Sequence, residues 1–414
     1  MKRRFNVTGS CNRQKHYMVK LDERLKRIKE DYVDEGSYFA INRGRQYGKT
    51  TTLKLLLEYL KDDYFVLSMD FQMMSTANFA DEQTFVARFI GYFKNLVTEE
   101  DALMKNIDEM AIASLISLED RNDITMDILF EGLSRICQTS KKPIVLMIDE
   151  VDSASNNQVF IDFLAQLRGY YLDRENRPIF HSVIFAGVYD IKNLKLKLRP
   201  NEEHQYNSPW NIAADFDINM SFSVSQIVDM LGEYEADHHT GMNIAEVAEQ
   251  IYQYTAGYPV LVSAICQKID EKISKEEAFG NLGSAWTSRG IEEAVRRILL
   301  ERTPLFESMI RHLDDYPEMK QMFQEILFQG KAFSFNLDTK EISLAAMFGY
   351  AVSRNGKVQV ANRIFETRLY NYFLSENELA RSDSANLMGD AAVRDRNCFV
   401  HDGMLDMDAS SCSI

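Results

Sequence analysis

Residues 37–60 constrain the fold more than any other part of the chain. Ser37 to Asn42 reads SYFAIN, a short apolar run of strand-forming residues, and Arg43-Gly44-Arg45-Gln46-Tyr47-Gly48-Lys49-Thr50-Thr51 follows it. Leu53, Leu56, Leu57 and Leu60 then recur at helical spacing. Strand, glycine-bearing loop, Gly-Lys-Thr and amphipathic helix form the context in which a backbone can wrap a polyphosphate. Gly48 lets the chain approach phosphate oxygens with no Cβ in the way. The loop amides and the opening of the helix supply unpaired N–H groups and the positive end of a dipole. Gly44, Arg45, Gln46, Tyr47, Gly48, Lys49, Thr50 and Thr51 are therefore the expected nucleotide contacts. Lys49 is expected to reach the β- and γ-phosphates, and the Thr50 hydroxyl to join a Mg2+ shell. The usual pattern has a glycine five positions before Gly48, where this chain has Arg43, and Gly44 stands one place late.

A second motif fits the first. Pro143 to Val151 reads PIVLMIDEV, an apolar β-forming run that ends in Asp149-Glu150. A buried parallel strand has this composition, and its carboxyl end is where such sheets bind ligands. Asp149 is expected to hold Mg2+, and Glu150 to polarise the water that attacks the γ-phosphate. The same residues also read as an ordinary strand followed by an acidic loop that includes Asp152. Tyr64 to Phe71 (YFVLSMDF) is a further strand, and helices are expected over Glu82–Val97 and Ile124–Thr139. An extra strand together with a glutamate beside the aspartate is the arrangement of ATPases with an inserted strand and a glutamate base; a kinase-like arrangement fits less well. The expected fold is thus an α/β P-loop core with a parallel sheet. His181–Val188 should supply the next strand, with Ser182, Tyr189 and Asp190 as candidate γ-phosphate sensors. Arg168, Arg174, Arg177 and Arg199 are possible arginine fingers, none of them assigned.

Composition narrows the class. With 45% hydrophobic residues in 414, the chain can build real cores, and its length suits two to three domains. Acids outnumber bases 62 to 47, for a net charge of −15, which excludes a chain coated with nucleic acid. Residues 1–30 run against that total, with ten Lys or Arg and three acids, an excess of +7 that leaves −22 elsewhere. This excess reads either as a solvated helix face over Asp22–Asp34 or as a basic arm near a bound polyanion. The 5 cysteines are scattered and form no CxxC pair, so neither a zinc site nor a disulfide framework is expected. No apolar run approaches the roughly 20 residues of a membrane span, and no apolar segment follows Met-Lys-Arg-Arg. The expected setting is a reducing cytoplasm, with no membrane partner.

The blocks RRFNVTGSC, KHYMV, INRGRQYGKTTTL and IVLMIDEVD together resemble the bacterial AAA-like P-loop ATPases close to archaeal-type and STAND signalling ATPases. The resemblance spans about residues 1–375. It accounts for Arg43, since such proteins commonly lack the first glycine. It implies that His16, Tyr17, Met18 and Val19 line an adenine pocket with Tyr17 as a stacking face, although the same run also reads as a buried strand. Tyr254-Thr255-Ala256-Gly257-Tyr258-Pro259 is similar to the GxP element of a helical lid, which would set Pro259 against the nucleotide. Gly then Pro is equally a routine helix opening.

Helices at Pro304–Leu313 and Glu318–Phe328, a hairpin of Ala351–Arg354 and Lys357–Ala361 turning at Asn355-Gly356, and a helix at Arg363–Leu374 look like a winged-helix domain. Arg354, Lys357, Arg363 and Arg368 would give it a modest basic patch against Glu366. The expected division is an ATPase core (1–215), a helical lid (216–285), a winged-helix-like domain (286–378) and a poorly ordered tail (379–414). The resemblance implies ATP and Mg2+ as ligands, with hydrolysis to ADP and phosphate driving a conformational switch. Alternatives are a non-hydrolysing nucleotide-dependent switch or scaffold, and a DNA-binding regulator acting through the winged helix. It also implies a DNA or protein partner at that domain and a possible homo-oligomer. Relatives often continue into a PD-(D/E)XK nuclease-like domain. RDRNCFVHDGMLDMD resembles the approach to that domain, but no carboxylate–x–Lys core follows, so the chain is not expected to cut DNA alone.

Overall fold

The computed structural model describes residues 3–99, 106–121, 123–154, 157–188, 210–385, 400–401 and 404–405. Two compact units form: residues 9–12 and 20–220 make one, and residues 3–8, 13–19 and those from Ser221 onward make the other.

The first unit is built on a parallel sheet of β1 (Tyr38–Asn42), β2 (Phe65–Asp70), β3 (Ile144–Asp149) and β4 (Ser182–Gly187), in spatial order β1-β4-β3-β2. Its helices are α1 (Asp22–Ile28), α2 (Lys49–Leu60), α3 (Glu82–Glu99), α4 (Glu109–Ile116), α5 (Met126–Thr139) and α6 (Gln158–Leu172). Every residue of β3 and β4 is buried, as in a sheet covered on both faces. Although β2 comes between the two motifs in sequence, it lies beyond β3 in space, and β4 separates β1 from β3. Asn42 pairs with Gly187 and Asp70 with Asp149, so the carboxyl ends of all four strands share one edge. Ala214 makes a parallel bridge to Phe39 and extends the sheet past β1.

Phenylalanines dominate the packing against this sheet. Phe85, Phe89 and Phe93 recur every four residues along α3 and so share one face, where each is buried. Phe85 meets Phe79 and Phe163 at ring-centroid distances of 5.6 Å each. Each such side chain contributes about 1.5–3 kcal/mol on burial.

Part of the basic segment resolves into local pairs along one helix. The expected helix over Asp22–Asp34 is α-helical only to Ile28, and Lys29–Val33 continues as a wider π-helical turn. Arg27 pairs with Asp31 at 3.3 Å and Lys29 with Asp34 at 2.9 Å, which is the solvated-face reading. Arg24 differs: it is buried and donates to the Met220 carbonyl at 2.9 Å.

The second unit is helical: α7 (Val224–His238), α8 (Ile244–Thr255), α9 (Pro259–Glu271), α10 (Ser288–Leu300), α11 (Pro304–Asp315), α12 (Pro317–Gln329), α13 (Lys340–Met347) and α14 (Arg363–Ala385). A hairpin of β5 (Ala351–Arg354) and β6 (Lys357–Val360) precedes α14, and Ser334 bridges Lys357 beside it. Asn355 and Gly356 both take positive φ, 52° and 72°, the turn that suits the twist of a two-residue hairpin.

Residues 3–8 and 13–19, allotted by the sequence to the ATPase core, belong to this unit. Arg4–Phe5 and His16–Tyr17 form a short parallel pair, and Phe5 packs within 5.2 Å of Tyr234 and 6.0 Å of Trp286. Arg3 pairs with Glu233 at 2.6 Å and Asp237 at 2.8 Å, so its charge is neutralised inside the unit. Arg368 also leaves the expected basic patch, since its guanidinium lies over the Phe306 ring and donates to the Leu299 carbonyl. Helix α14 runs beyond the expected Leu374 to Ala385, and the rest of the expected tail lies largely outside the described residues. Among the described residues, no helix is long and apolar enough to cross a membrane.

Candidate active site at the carboxyl edge of the sheet

The Gly-Lys-Thr loop leaves β1 at this edge and turns into α2. Gly48 caps the helix with φ 82°, a left-handed conformation that glycine adopts without strain. Gln46 also has positive φ, 58°, and Arg45 and Gln46 are exposed. The Lys49 side chain curls back over the loop and donates to the carbonyls of Arg43 (2.9 Å) and Gly44 (3.1 Å). Burial lowers its pKa, while Asp152, Glu150 and Asp149 act in the opposite direction.

Arg43 replaces the first loop glycine with a tether. Its guanidinium donates to the carbonyls of Asn42, Phe216 and Ile218 at 2.8, 3.4 and 3.1 Å and lies 5.5 Å from the Phe216 ring centroid. The loop is thus fixed to the segment that runs on from the Ala214 bridge.

The two motifs meet at this edge: the Thr50 side chain lies close enough to the Asp149 carboxylate to favour its ionised form. Asp149 ends β3, is buried, and accepts the Glu150 N–H at 2.9 Å. Burial pushes its carboxyl up and the Asp70 charge adds to this, whereas Thr50, the Glu150 amide and Lys49 act against it. Glu150 stands at φ 53°, ψ 41°, left-handed without being glycine. Burial raises its pKa as well, Lys49 opposes the rise, and Asp149, Asp152 and Asp70 reinforce it.

Asp70 and Asp152 were not singled out as site residues by the sequence. Asp70 shares with Asp149 the one usable signal, an acid closing an apolar strand run, and the register sets the two opposite each other. Asp152 had no such signal. Its carboxylate accepts the Val188 N–H at 2.6 Å, directly after β4.

Other expected residues lie elsewhere. Thr51 is buried and accepts the Cys11 N–H at 3.0 Å, which fills its hydroxyl with a structural bond. Ser182 opens β4 at the amino edge and donates to the Ser37 carbonyl at 2.6 Å, so it faces the wrong end of the strand for a γ-phosphate sensor. Tyr189, Asp190 and Arg199 lie outside the described residues. Arg174 donates to the Gly36 carbonyl and Arg177 pairs with Asp173 at 3.3 Å.

Tyr17 and Pro259 belong to the second unit. Tyr17 is 1% exposed, with Arg3 4.7 Å over its ring and its hydroxyl donating to Asp237 at 2.8 Å. No face of that ring is open to a base, so the buried-strand reading of this run describes it. Pro259 is the buried first residue of α9. Ahead of it, Gly257 (φ 74°) presses against the Phe222 backbone, where an added Cβ would stand 2.0 Å from the carbonyl oxygen. Close backbone packing is thus sufficient reason for the glycine of this Gly-Tyr-Pro.

The sequence profile of the AAA-like domain matches residues 7–375. The chain belongs to this AAA-like family. Solved structures similar to this family member include the Walker-type ATPase of Pyrococcus abyssi, with a TM-score of 0.57 at 12% identity over 88% of this chain and 99% of that one. ORC2 of Aeropyrum pernix, in its ADPNP–ADP complexes, gives 0.44 at 9% identity, over 90% of this chain and 97% of that one. Cdc6p of Pyrobaculum aerophilum gives 0.41 at 12% identity with the same coverage. At these identities the likeness is one of fold, and the fold is that of a Walker-type ATPase. No curated protein matches the sequence.

Proposed function

We propose that the chain binds ATP with Mg2+ at the carboxyl edge of the sheet and hydrolyses it to ADP and phosphate. What supports this reading is the convergence of the two motifs at one sheet edge, where the Gly-Lys-Thr loop follows Asn42 and the neighbouring strand ends on Asp149, with the charges of Lys49 and the acids acting on one another. Gly44 to Gly48 would present the loop amides to the phosphates, with the opening of α2 behind them. Lys49 would exchange the Arg43 and Gly44 carbonyls for phosphate oxygens, keeping its donors satisfied as its charge meets an anion.

The residues fit a divalent cation. Thr50 and Asp149 would supply oxygens, and a cation would relieve the like charge that Asp70, Asp149 and Glu150 impose on one another. When bound, Mg2+ neutralises charge on the phosphates. Glu150, whose raised pKa makes its carboxylate a better proton acceptor than an ordinary glutamate, would orient and deprotonate the attacking water. The conformational switch coupled to turnover, and a winged-helix role for the unit that carries the exposed Arg354 and Lys357, belong to the same proposal.

Equilibrium binding of a fluorescent ATP analogue with Mg2+ tests the first step. The wild type should bind it, and Lys49→Ala should weaken binding at least about tenfold through loss of a charged contact. Unchanged binding in Lys49→Ala would sink the assignment of the loop.

A further inference from the structure

Glu150 holds a conformation that a non-glycine residue keeps only when its surroundings enforce it. The source of that constraint lies in the turn Val151–Ser153, which follows directly. The single proton of the Ser153 hydroxyl is shared between the Phe71 carbonyl (3.0 Å) and the Glu150 carbonyl (2.9 Å). Phe71 is the first residue after β2. On the other flank, Asp152 accepts the Val188 N–H at 2.6 Å, the first amide after β4. Since β2 and β4 are the two neighbours of β3, the turn carries one anchor on each side of the strand that delivers Glu150.

Gly187 completes the arrangement. A Cβ at this last position of β4 would stand 2.9 Å from the Asp152 carboxylate and 2.9 Å from a Val151 methyl. Only glycine leaves room for the carboxylate to reach Val188.

We infer that Asp152 and Ser153 are positioning residues that clamp the turn to both flanking strands and so aim the Glu150 carboxylate. The inference rests on the hydrolytic reading above. The clamp makes the direction of Glu150 depend on the exits of β2 and β4 together, so loosening either anchor lets the turn relax from its left-handed start.

Steady-state phosphate release and ATP affinity are measured together for a variant set. Asp152→Ala and Ser153→Ala should each lower kcat about ten- to hundredfold, the scale of a misplaced catalytic group, with the dissociation constant for ATP within about threefold of wild type. Asp152→Asn keeps an acceptor oxygen for Val188 while losing the charge, and should recover kcat to within about threefold of wild type. Gly187→Ala should match Asp152→Ala alone and add no further loss on the Asp152→Ala background. A merely structural role would lower thermal stability without this split, and a purely electrostatic role would leave Asp152→Asn as poor as Asp152→Ala. Either result overturns the clamp. If Asp152→Ala folds poorly, Ser153→Ala and Gly187→Ala carry the test. Glu150→Gln is measured alongside. Turnover that persists there removes the hydrolytic reading and the clamp with it. Turnover that is lost there but kept within twofold in Asp152→Ala and Ser153→Ala removes the clamp alone.

Discussion

Replacing Glu150 with glycine should stabilise the nucleotide-free chain while ending its turnover. At φ 53°, ψ 41° an L-residue with a Cβ pays about 1–2 kcal/mol for the left-handed conformation. Glycine removes that cost but loses more freedom on folding, worth about 0.5–1 kcal/mol. The balance spans about 0–1.5 kcal/mol, a gain of about 0.7 kcal/mol at the midpoints, from the backbone alone. Removing a carboxylate from beside Asp149, Asp152 and Asp70 acts in the same direction. Glu150→Gln keeps the left-handed backbone and removes only the charge, so the difference between the two variants isolates the strain. The protein offers a convenient probe, because its 2 tryptophans fall one in each unit. In a Trp286→Phe background, emission from Trp210, buried 4.6 Å from Phe185, reports the P-loop unit. Urea unfolding should then show Glu150→Gly more stable than Glu150→Gln by about 0.7 kcal/mol. A Glu150→Gly variant less stable than wild type by about 1 kcal/mol would mean that the side chain makes a net stabilising contact, and would refute the trade of stability for function.

Arg43→Gly, which restores the usual loop pattern, should lower stability by about 1.5–3 kcal/mol through loss of charged hydrogen bonds to three carbonyls, with no gain in ATP affinity; thermal unfolding and ATP titration check it. Gly257→Ala should cost about 2–5 kcal/mol, from a disfavoured φ and a Cβ driven into the Phe222 carbonyl, as read from Trp286 emission in a Trp210→Phe background. Turnover requires ionised Glu150, so phosphate release from the Mg2+–ATP complex should fall on the acid side as that carboxylate takes a proton. Stability has the opposite sign: a carboxyl raised in the folded state favours folding when protonated, below its unfolded pKa. That contribution is lost as pH rises through the folded value, and a pH series of urea midpoints reads it.

What was legible in the sequence follows from how local each signal is. SYFAIN, the Gly-Lys-Thr loop and the leucine spacing after it sit within one strand–loop–helix unit, so the residues around Lys49 were readable without knowing their neighbours. Asp149-Glu150 was readable because a buried strand ends on charge. Asp152 and Asp70 gain meaning only through register, which puts Asp70 opposite Asp149 and the Val188 amide against Asp152. Ser182 failed as a sensor for a reason the sequence already held, since it opens its strand while a parallel sheet binds ligands at the carboxyl end. Arg43 looked like a flaw in the pattern, yet its guanidinium reaches the carbonyls of Phe216 and Ile218, far along the chain. The His16–Val19 run was visible as a strand, but the pairing of Arg4–Phe5 with His16–Tyr17 and the packing of Phe5 against Tyr234 and Trp286 were not. Likewise Arg368 counted as surface charge until its stacking on Phe306 was known.

In the proposed reaction Glu150 activates water for cleavage of ATP held by the Gly-Lys-Thr loop. Phosphate release with saturating ATP and Mg2+, compared between wild type and Glu150→Gln at matched ATP occupancy, tests it most directly. The wild type should turn over measurably and the variant should lose about 100-fold or more, with binding retained. Equal turnover by both proteins would contradict it.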